Sequence, residues 1–152
     1  MVFFEKLSVN FRFALSIFLP STYLLIVAIT YFSPKDFGFG FLAIVKPALI
    51  FGFLGLILWI ISMKSLGTSF GVLPGSKKLI KTGVYKYIRH PMYVGINMTL
   101  GGLIVASGSY FGLCFYLLMT IPLNIIRSRW EEKALLREFG DSYIEYKKNT
   151  WF

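Results

Sequence analysis

Four stretches of the chain are apolar over lengths that match a bilayer crossing, and the polar residues are gathered between and after them. The first runs from Phe13 to Phe32, broken only by Pro20 and a few hydroxyls, and the second from Phe41 to Met63, uncharged except for Lys46. A helix crosses about 30 Å of hydrocarbon with about 17 to 25 residues, and Ser33-Pro34-Lys35-Asp36 between these two has turn chemistry, so together they predict a helical hairpin. From Pro91 to Ile126 the chain carries no ionisable side chain other than Tyr and Cys114 over 36 residues. One helix of that length would be roughly 54 Å long, so a fold-back at Ser107-Gly108-Ser109 is expected. The pattern predicts an all-α polytopic membrane protein with four transmembrane helices, at about residues 13–32, 41–63, 92–107 and 110–126, and a cytoplasmic C-terminal helix. The first span exceeds the ~7–15-residue apolar region of a secretory signal and is read as retained.

Composition supports the membrane reading. Hydrophobic residues make up 56% of the 152 and charged residues 15%, against about 25% charged in soluble domains. That leaves too little charge to cover a water-facing surface, and it disfavours a disordered chain or a soluble enzyme. The single Cys114 excludes an intrachain disulfide framework and any multi-cysteine zinc or iron-sulfur centre, and no metal site is expected.

Charge position then sets orientation. Of the 16 basic residues, Lys6 and Arg12 precede the first span, six lie between the second and third, and six follow the fourth. With four spans these groups share one side, leaving Lys35 opposite and Lys46 within the second span, so both termini are expected in the cytoplasm. The net charge of +9 is thereby mostly topology, and no nucleic-acid partner is expected. Lys46, near a span end, reads as a snorkelling side chain.

Chemistry should then concentrate in two cytoplasmic segments, 64–91 and 126–152. In the first, the glycines and Pro74 suggest a loop that returns to the membrane, and Arg89-His90-Pro91 opens the third span. Pro91 suits the first helical turn; Arg89 and His90 would stand at a helix N-terminus, where N–H groups and the dipole favour an anionic group. In the second, a helix is expected to about Phe139 with Gly140 as its stop. Arg127 and Glu131 are four apart and share a face, with Glu132 beside it. An arginine, two carboxylates, a histidine and Tyr85, Tyr87 and Tyr93 are thus candidates to converge at one rim. Each has a plainer reading as well: His90 as a helix-end hydrogen-bonder, Arg127 and Glu131 as a solvent-exposed ion pair, the tyrosines as an interfacial aromatic belt.

The order of these residues resembles a known family. Leu79-Ile80 through Gly83-x-Tyr85, then Arg89-His90-Pro91-x-Tyr93-x-Gly95, then Arg127-x3-Glu131-Glu132-x-Ala134-Leu135 and Phe139-Gly140-x2-Tyr143-x2-Tyr146, is similar to the isoprenylcysteine carboxyl methyltransferase and phospholipid methyltransferase superfamily. The likeness covers about residues 67–146. It implies one integral membrane methyltransferase domain over 1–152, with S-adenosylmethionine as cofactor, motifs at 79–95 and 127–146, and a lipophilic or membrane-delivered acceptor. The acceptor classes are an isoprenylcysteine-like carboxylate, a phospholipid amine or another small lipophile such as a thiol. By the same resemblance Gly83, Tyr85, His90, Pro91, Tyr93 and Glu132 line the cofactor site, and Arg127 and Glu131 are catalytic. Two further readings stay open on the residues alone: an NADPH-dependent membrane reductase of the sterol-reductase kind, and a non-catalytic helical membrane protein. Oligomeric state is not encoded in any feature above.

Overall fold

The computed structural model describes residues 9–35, 42–67 and 79–151. Two expectations fall partly outside these, the Asp36 end of the first turn and the loop through 68–78. Four helices correspond to the four apolar stretches: α1 (Val9–Phe32), α2 (Leu42–Leu66), α3 (Pro91–Ser107), and a rod made of α4 (Tyr110–Phe115), a π-type turn (Tyr116–Thr120) and α5 (Ile121–Phe139). A short α6 (Asp141–Lys148) follows. Among the described residues the sole strand-like pairing is a parallel bridge between Ile88 and Trp151.

Local chemistry sets the helix ends. Pro91 occupies the first turn of α3 with His90 as its N-cap, where a missing N–H costs nothing. The α3–α4 fold-back occurs as expected: Gly108 adopts φ 69° and its N–H bonds back to Ile104 and Val105, a left-handed cap that favours glycine. Ser109 then caps α4 by accepting from the Gly112 N–H at 2.9 Å. Pro122 lies two residues beyond the π-type turn; having no N–H to give the carbonyl four residues back, it relaxes the helical ladder there. Gly140, at φ 50°, ends α5.

The helices pack tightly and with small residues. A Cβ on Gly95 would stand 2.8 Å from the Gly55 oxygen and 2.7 Å from the Trp59 nitrogen, and one on Gly102 2.5 Å from the Ala48 oxygen and 2.6 Å from the Gly52 nitrogen. Backbones of α2 and α3 therefore touch, as small-residue faces of membrane helices allow. Gly95 and Gly102 serve this close approach; Gly101 lies instead beneath Tyr116, and Gly112 against Thr30 of α1. Ile26, Ile96, Leu100 and Ile104 form the buried centre, with Tyr23, Trp59, Met92, Leu113, Phe115 and Tyr116 packed around it.

The distribution of polarity is that of a membrane protein. Large apolar side chains point outward, among them Leu24, Phe53 and Leu118, while Thr22, Thr30, Ser62, Thr120, Asn124, Arg127 and Ser128 are buried. Two helices, Ala43–Leu66 and Tyr110–Phe139, are long and apolar enough to cross a membrane, and Pro20–Phe32 and Pro91–Ser107 are shorter apolar helices. Lys46 is exposed at the start of α2, in keeping with a snorkelling side chain.

Candidate active site

The site is assembled where α3 begins and the apolar part of the α4–α5 rod ends. Tyr93, on the first turn of α3, donates from its hydroxyl to Glu131 Oε1 at 2.6 Å. Arg127 Nε donates to the same oxygen at 3.3 Å, and the guanidinium carbon lies 5.6 Å from the centre of the Tyr93 ring. Arg127 and Glu131 form the i, i+4 pair their spacing foretold, but not the solvent-exposed one: the Arg127 side chain is only 7% exposed. An ion pair shielded to this extent is held far more firmly in one geometry than a surface pair, because either partner alone would be left uncompensated.

His90 stands between the two carboxylates. Its Nδ1 is 3.9 Å from Glu131 Oε2 and its Nε2 3.5 Å from Glu132 Oε1. Burial pushes the imidazole below its ordinary pKa, outweighing the upward pull of Glu131 and Glu132, so it is neutral at pH 7 and acts as a donor and acceptor rather than as a cation.

Glu132 is the more cationically surrounded carboxylate. Arg89 Nε donates to its Oε1 at 3.0 Å and Lys147 Nζ to its Oε2 at 2.7 Å. Burial raises its pKa, but the hydrogen bonds and charges of Lys147 and Arg89 prevail and hold it below the usual carboxylate value. Tyr143 of α6 is buried close enough to Glu132 to feel its charge. Arg89 also donates from its Nη1 to the carbonyls of Lys147 and Thr150, and the backbones of Arg89 and Trp151 bond at 2.8 Å. The end of the chain is thus strapped across the segment that precedes α3. Burial pushes the Tyr146 phenol up to about 12, and its hydroxyl donates to the Tyr85 carbonyl at 2.7 Å, tying α6 to the turn over Gly83–Lys86.

Of the residues singled out in the sequence, Tyr93, His90, Arg127, Glu131 and Glu132 share one interconnected cluster. Tyr85 is buried at its edge, and Pro91 is buried at the helix start. Gly83 is exposed, at φ 60°, with Ser65 of α2 where a Cβ would go. Tyr87 turns away, 66% exposed, and its carbonyl accepts from the Trp151 N–H. Sequence reasoning placed Arg89 at an anion site and did not anticipate its pairing with Glu132.

It also passed over a polar chain deeper in the bundle. The Tyr23 hydroxyl of α1 donates to Asn124 Oδ1 at 2.5 Å, Asn124 Nδ2 donates to Asn97 Oδ1 at 3.2 Å, and Asn97 Nδ2 donates to the Tyr93 carbonyl at 2.8 Å. Two asparagines inside apolar spans were the available signal, because polar groups at membrane depth are costly and tend to have work to do.

These features define an all-helical, membrane-type protein whose arginine, histidine and paired carboxylates are gathered at one end of an apolar bundle. The chain belongs to the phospholipid methyltransferase family, whose model matches residues 42–142, as its motifs between Leu79 and Tyr146 anticipated. It is 33% identical over 94 residues to a protein-S-isoprenylcysteine O-methyltransferase of Schizosaccharomyces pombe, a match covering 59% of this chain and 40% of the relative. The corresponding protein of Saccharomyces cerevisiae is 34% identical over 95 residues, with 59% and 40% covered. A methanethiol S-methyltransferase of Pseudomonas deceptionensis is 37% identical over 67 residues, covering 44% of this chain and 24% of the relative. The match spans about two fifths of the length of the first two relatives.

Proposed function

We propose that the protein is an integral membrane methyltransferase that uses S-adenosylmethionine and acts on a lipophilic acceptor. The observation that carries this reading is the buried Tyr93–Glu131–Arg127 cluster joined through His90 to Glu132. The donor set fits the cofactor: it combines carboxylates for an ammonium, Arg89 and His90 for a carboxylate, and the tyrosines 85, 93 and 143 for an aromatic base or a sulfonium. When bound, S-adenosylmethionine supplies an electrophilic methyl group. Glu132 would hold the cofactor's ammonium, exchanging it for Lys147, whose side chain is half exposed and free to swing into water. Gly83, Tyr85 and Pro91 would shape the pocket wall.

Arg127 and Glu131 are then the residues that face the acceptor. Arg127 orients an acceptor carboxylate through charge-assisted hydrogen bonds. For a thiol or amine acceptor, Glu131 takes the proton that the nucleophile loses as it gains the methyl group. Most of the acceleration comes from holding nucleophile, methyl carbon and sulfur in line, which a buried, mutually bonded set of side chains is suited to do. The relatives, a protein-S-isoprenylcysteine O-methyltransferase and a methanethiol S-methyltransferase, support both an isoprenylcysteine carboxylate and a small thiol as acceptor classes.

Four crossings, with both termini and α6 in the cytoplasm, complete the proposal. Four apolar helices support it, as does the sequence position of 14 of the 16 basic residues, before the first apolar stretch, between the second and third, and after the fourth. The test is thermal melting of the detergent-purified protein titrated with S-adenosylhomocysteine and, separately, with NADPH, since a ligand that binds only the folded state raises the midpoint. Stabilisation by S-adenosylhomocysteine is expected, with Glu132→Ala weakening it about tenfold or more, the loss of one charge-assisted contact worth about 1.4 kcal/mol. Stabilisation by NADPH instead would install the reductase reading, and a response to neither would favour a non-catalytic protein.

A further inference from the structure

The polar chain below the site begins on α1, a helix that precedes the family match over 42–142. From the Tyr23 hydroxyl it passes to Asn124 of α5, to Asn97 of α3 and to the Tyr93 backbone; Tyr93 in turn bonds Glu131, which also takes Arg127. A second tyrosine, Tyr116, donates to the Asn97 carbonyl at 3.0 Å. Each link has a donor and an acceptor, so the direction of one bond fixes the next. Tyr23 donates to the Asn124 oxygen, which leaves the Asn124 amide nitrogen to face Asn97, whose own amide nitrogen is left for Tyr93. Asn124 is 4% exposed, and three residues further along the same helix stands Arg127, so whatever sets the rotation of α5 at Asn124 sets the aim of Arg127 one turn later.

In apolar surroundings a bond of this kind is directional, whereas the packing of Ile26 and its neighbours is not. We propose that Tyr23 is a positioning residue for methyl transfer, which through Asn124 and Asn97 holds the α5 face bearing Arg127 and Glu131 in register with Tyr93. This deepens the methyltransferase reading and rests on it. It also gives α1 a part in the reaction.

The experiment uses the full chain in detergent, labelled S-adenosylmethionine, and two acceptor probes: N-acetyl-S-farnesylcysteine as a lipophilic carboxylate and octanethiol as a lipophilic thiol. Tyr23→Phe removes one hydroxyl and keeps the ring. Its kcat on whichever probe is methylated should fall about 10- to 100-fold, the scale of a small misalignment. The KM for S-adenosylmethionine and the affinity for S-adenosylhomocysteine should stay within about twofold, since Glu132 and His90 are untouched. Asn124→Leu should show the same split, and the double variant should be no slower than the slower single one, as expected for two links of one chain. Ile26→Val, a packing change on the same helix, should lower the melting point and leave kcat unchanged.

A Tyr23→Phe kcat within twofold of the wild type overturns the proposal. So does a fall in kcat matched by equal falls in cofactor affinity and melting point, or losses that simply add in the double variant. Wild-type protein that neither binds S-adenosylhomocysteine nor methylates either probe overturns the methyltransferase reading itself, and the role of Tyr23 with it.

Discussion

Along one face of α3, Gly95 and Gly102 meet the backbone of α2 with no side chain between; along the other, Tyr93 and Asn97 meet α5 through a carboxylate and an amide. The glycine face fixes how near two helices come. It contains nothing that could bind or react, and its attraction is van der Waals contact between backbones. The polar face fixes rotation, because hydroxyl, amide and carboxylate groups are satisfied only in particular directions. Placing them in an apolar bundle costs stability that close packing elsewhere must offset. One helix thereby joins a region that holds the molecule together to a region that gives it chemistry.

The comparison breaks first, and most completely, at the glycine face. In Gly102→Val a Cβ would stand 2.5 Å from the Ala48 oxygen, with two methyls beyond it. Overpacking of this kind costs about 1–3 kcal/mol even where side chains can yield, and here backbone meets backbone. The expected result is loss of the monodisperse peak in size-exclusion chromatography, and a variant that elutes and melts like the wild type would show that the interface is looser than described.

On the polar face, Glu131→Gln should leave a folded protein of greatly reduced activity. Methyl transfer to a thiol probe is expected to fall about 100-fold or more, the usual worth of a positioned proton acceptor. Stability should fall as well, by about 1–3 kcal/mol, less than for a fully buried pair because Glu131 keeps some contact with solvent. Unfolding in a titration of denaturing detergent reads the second effect independently of the first.

A smaller and pH-dependent effect belongs to His90. Its pKa is lowered in the folded state, so the unfolded chain binds the proton more readily, and stability falls as pH drops. The contribution is fully present above the unfolded value near 6.5 and is lost progressively from there toward the folded value. His90→Gln should flatten the melting profile across that window; an unchanged slope would mean that the imidazole is not held neutral. Lys46→Gln, at an exposed position of α2, should lie within about 0.5 kcal/mol of the wild type in melting experiments and leave activity unaltered.

Much of the fold could be read from the sequence because its determinants are local. Apolar length marks the helices, Pro91 and Gly140 mark two of their ends, and Ser107-Gly108-Ser109 marks the fold-back. The clustering of Arg127, Glu131, Glu132, His90 and Tyr93 was legible through spacing and through resemblance to a family. What escaped were relations between distant residues. Arg89 looks the same in sequence whether it faces an anion or pairs with Glu132, and the choice is made by the last residues of the chain, whose carbonyls take its other nitrogen. Gly52 and Gly55 became significant only once Gly95 and Gly102 lay across from them. Tyr87 and Tyr85 are two residues apart and met opposite fates, one exposed and one buried, with the Tyr87 carbonyl taking the Trp151 N–H and the Tyr85 carbonyl the Tyr146 hydroxyl.

The π-type turn at Tyr116–Thr120 determines which way the site faces. Gly112 and Asn124 both meet α1, at Thr30 and Tyr23, yet twelve residues of regular α-helix at about 100° each would leave them about 120° apart. The widened turn absorbs about one residue's rotation and returns both to the same side. It works as a phase shifter, and its residue count matters more than its residue identities. Tighten the turn into regular α-helix with all its residues kept, and every side chain of the site would still be encoded, while Arg127 and Glu131 would be dialled about 100° round the rod and away from the bundle.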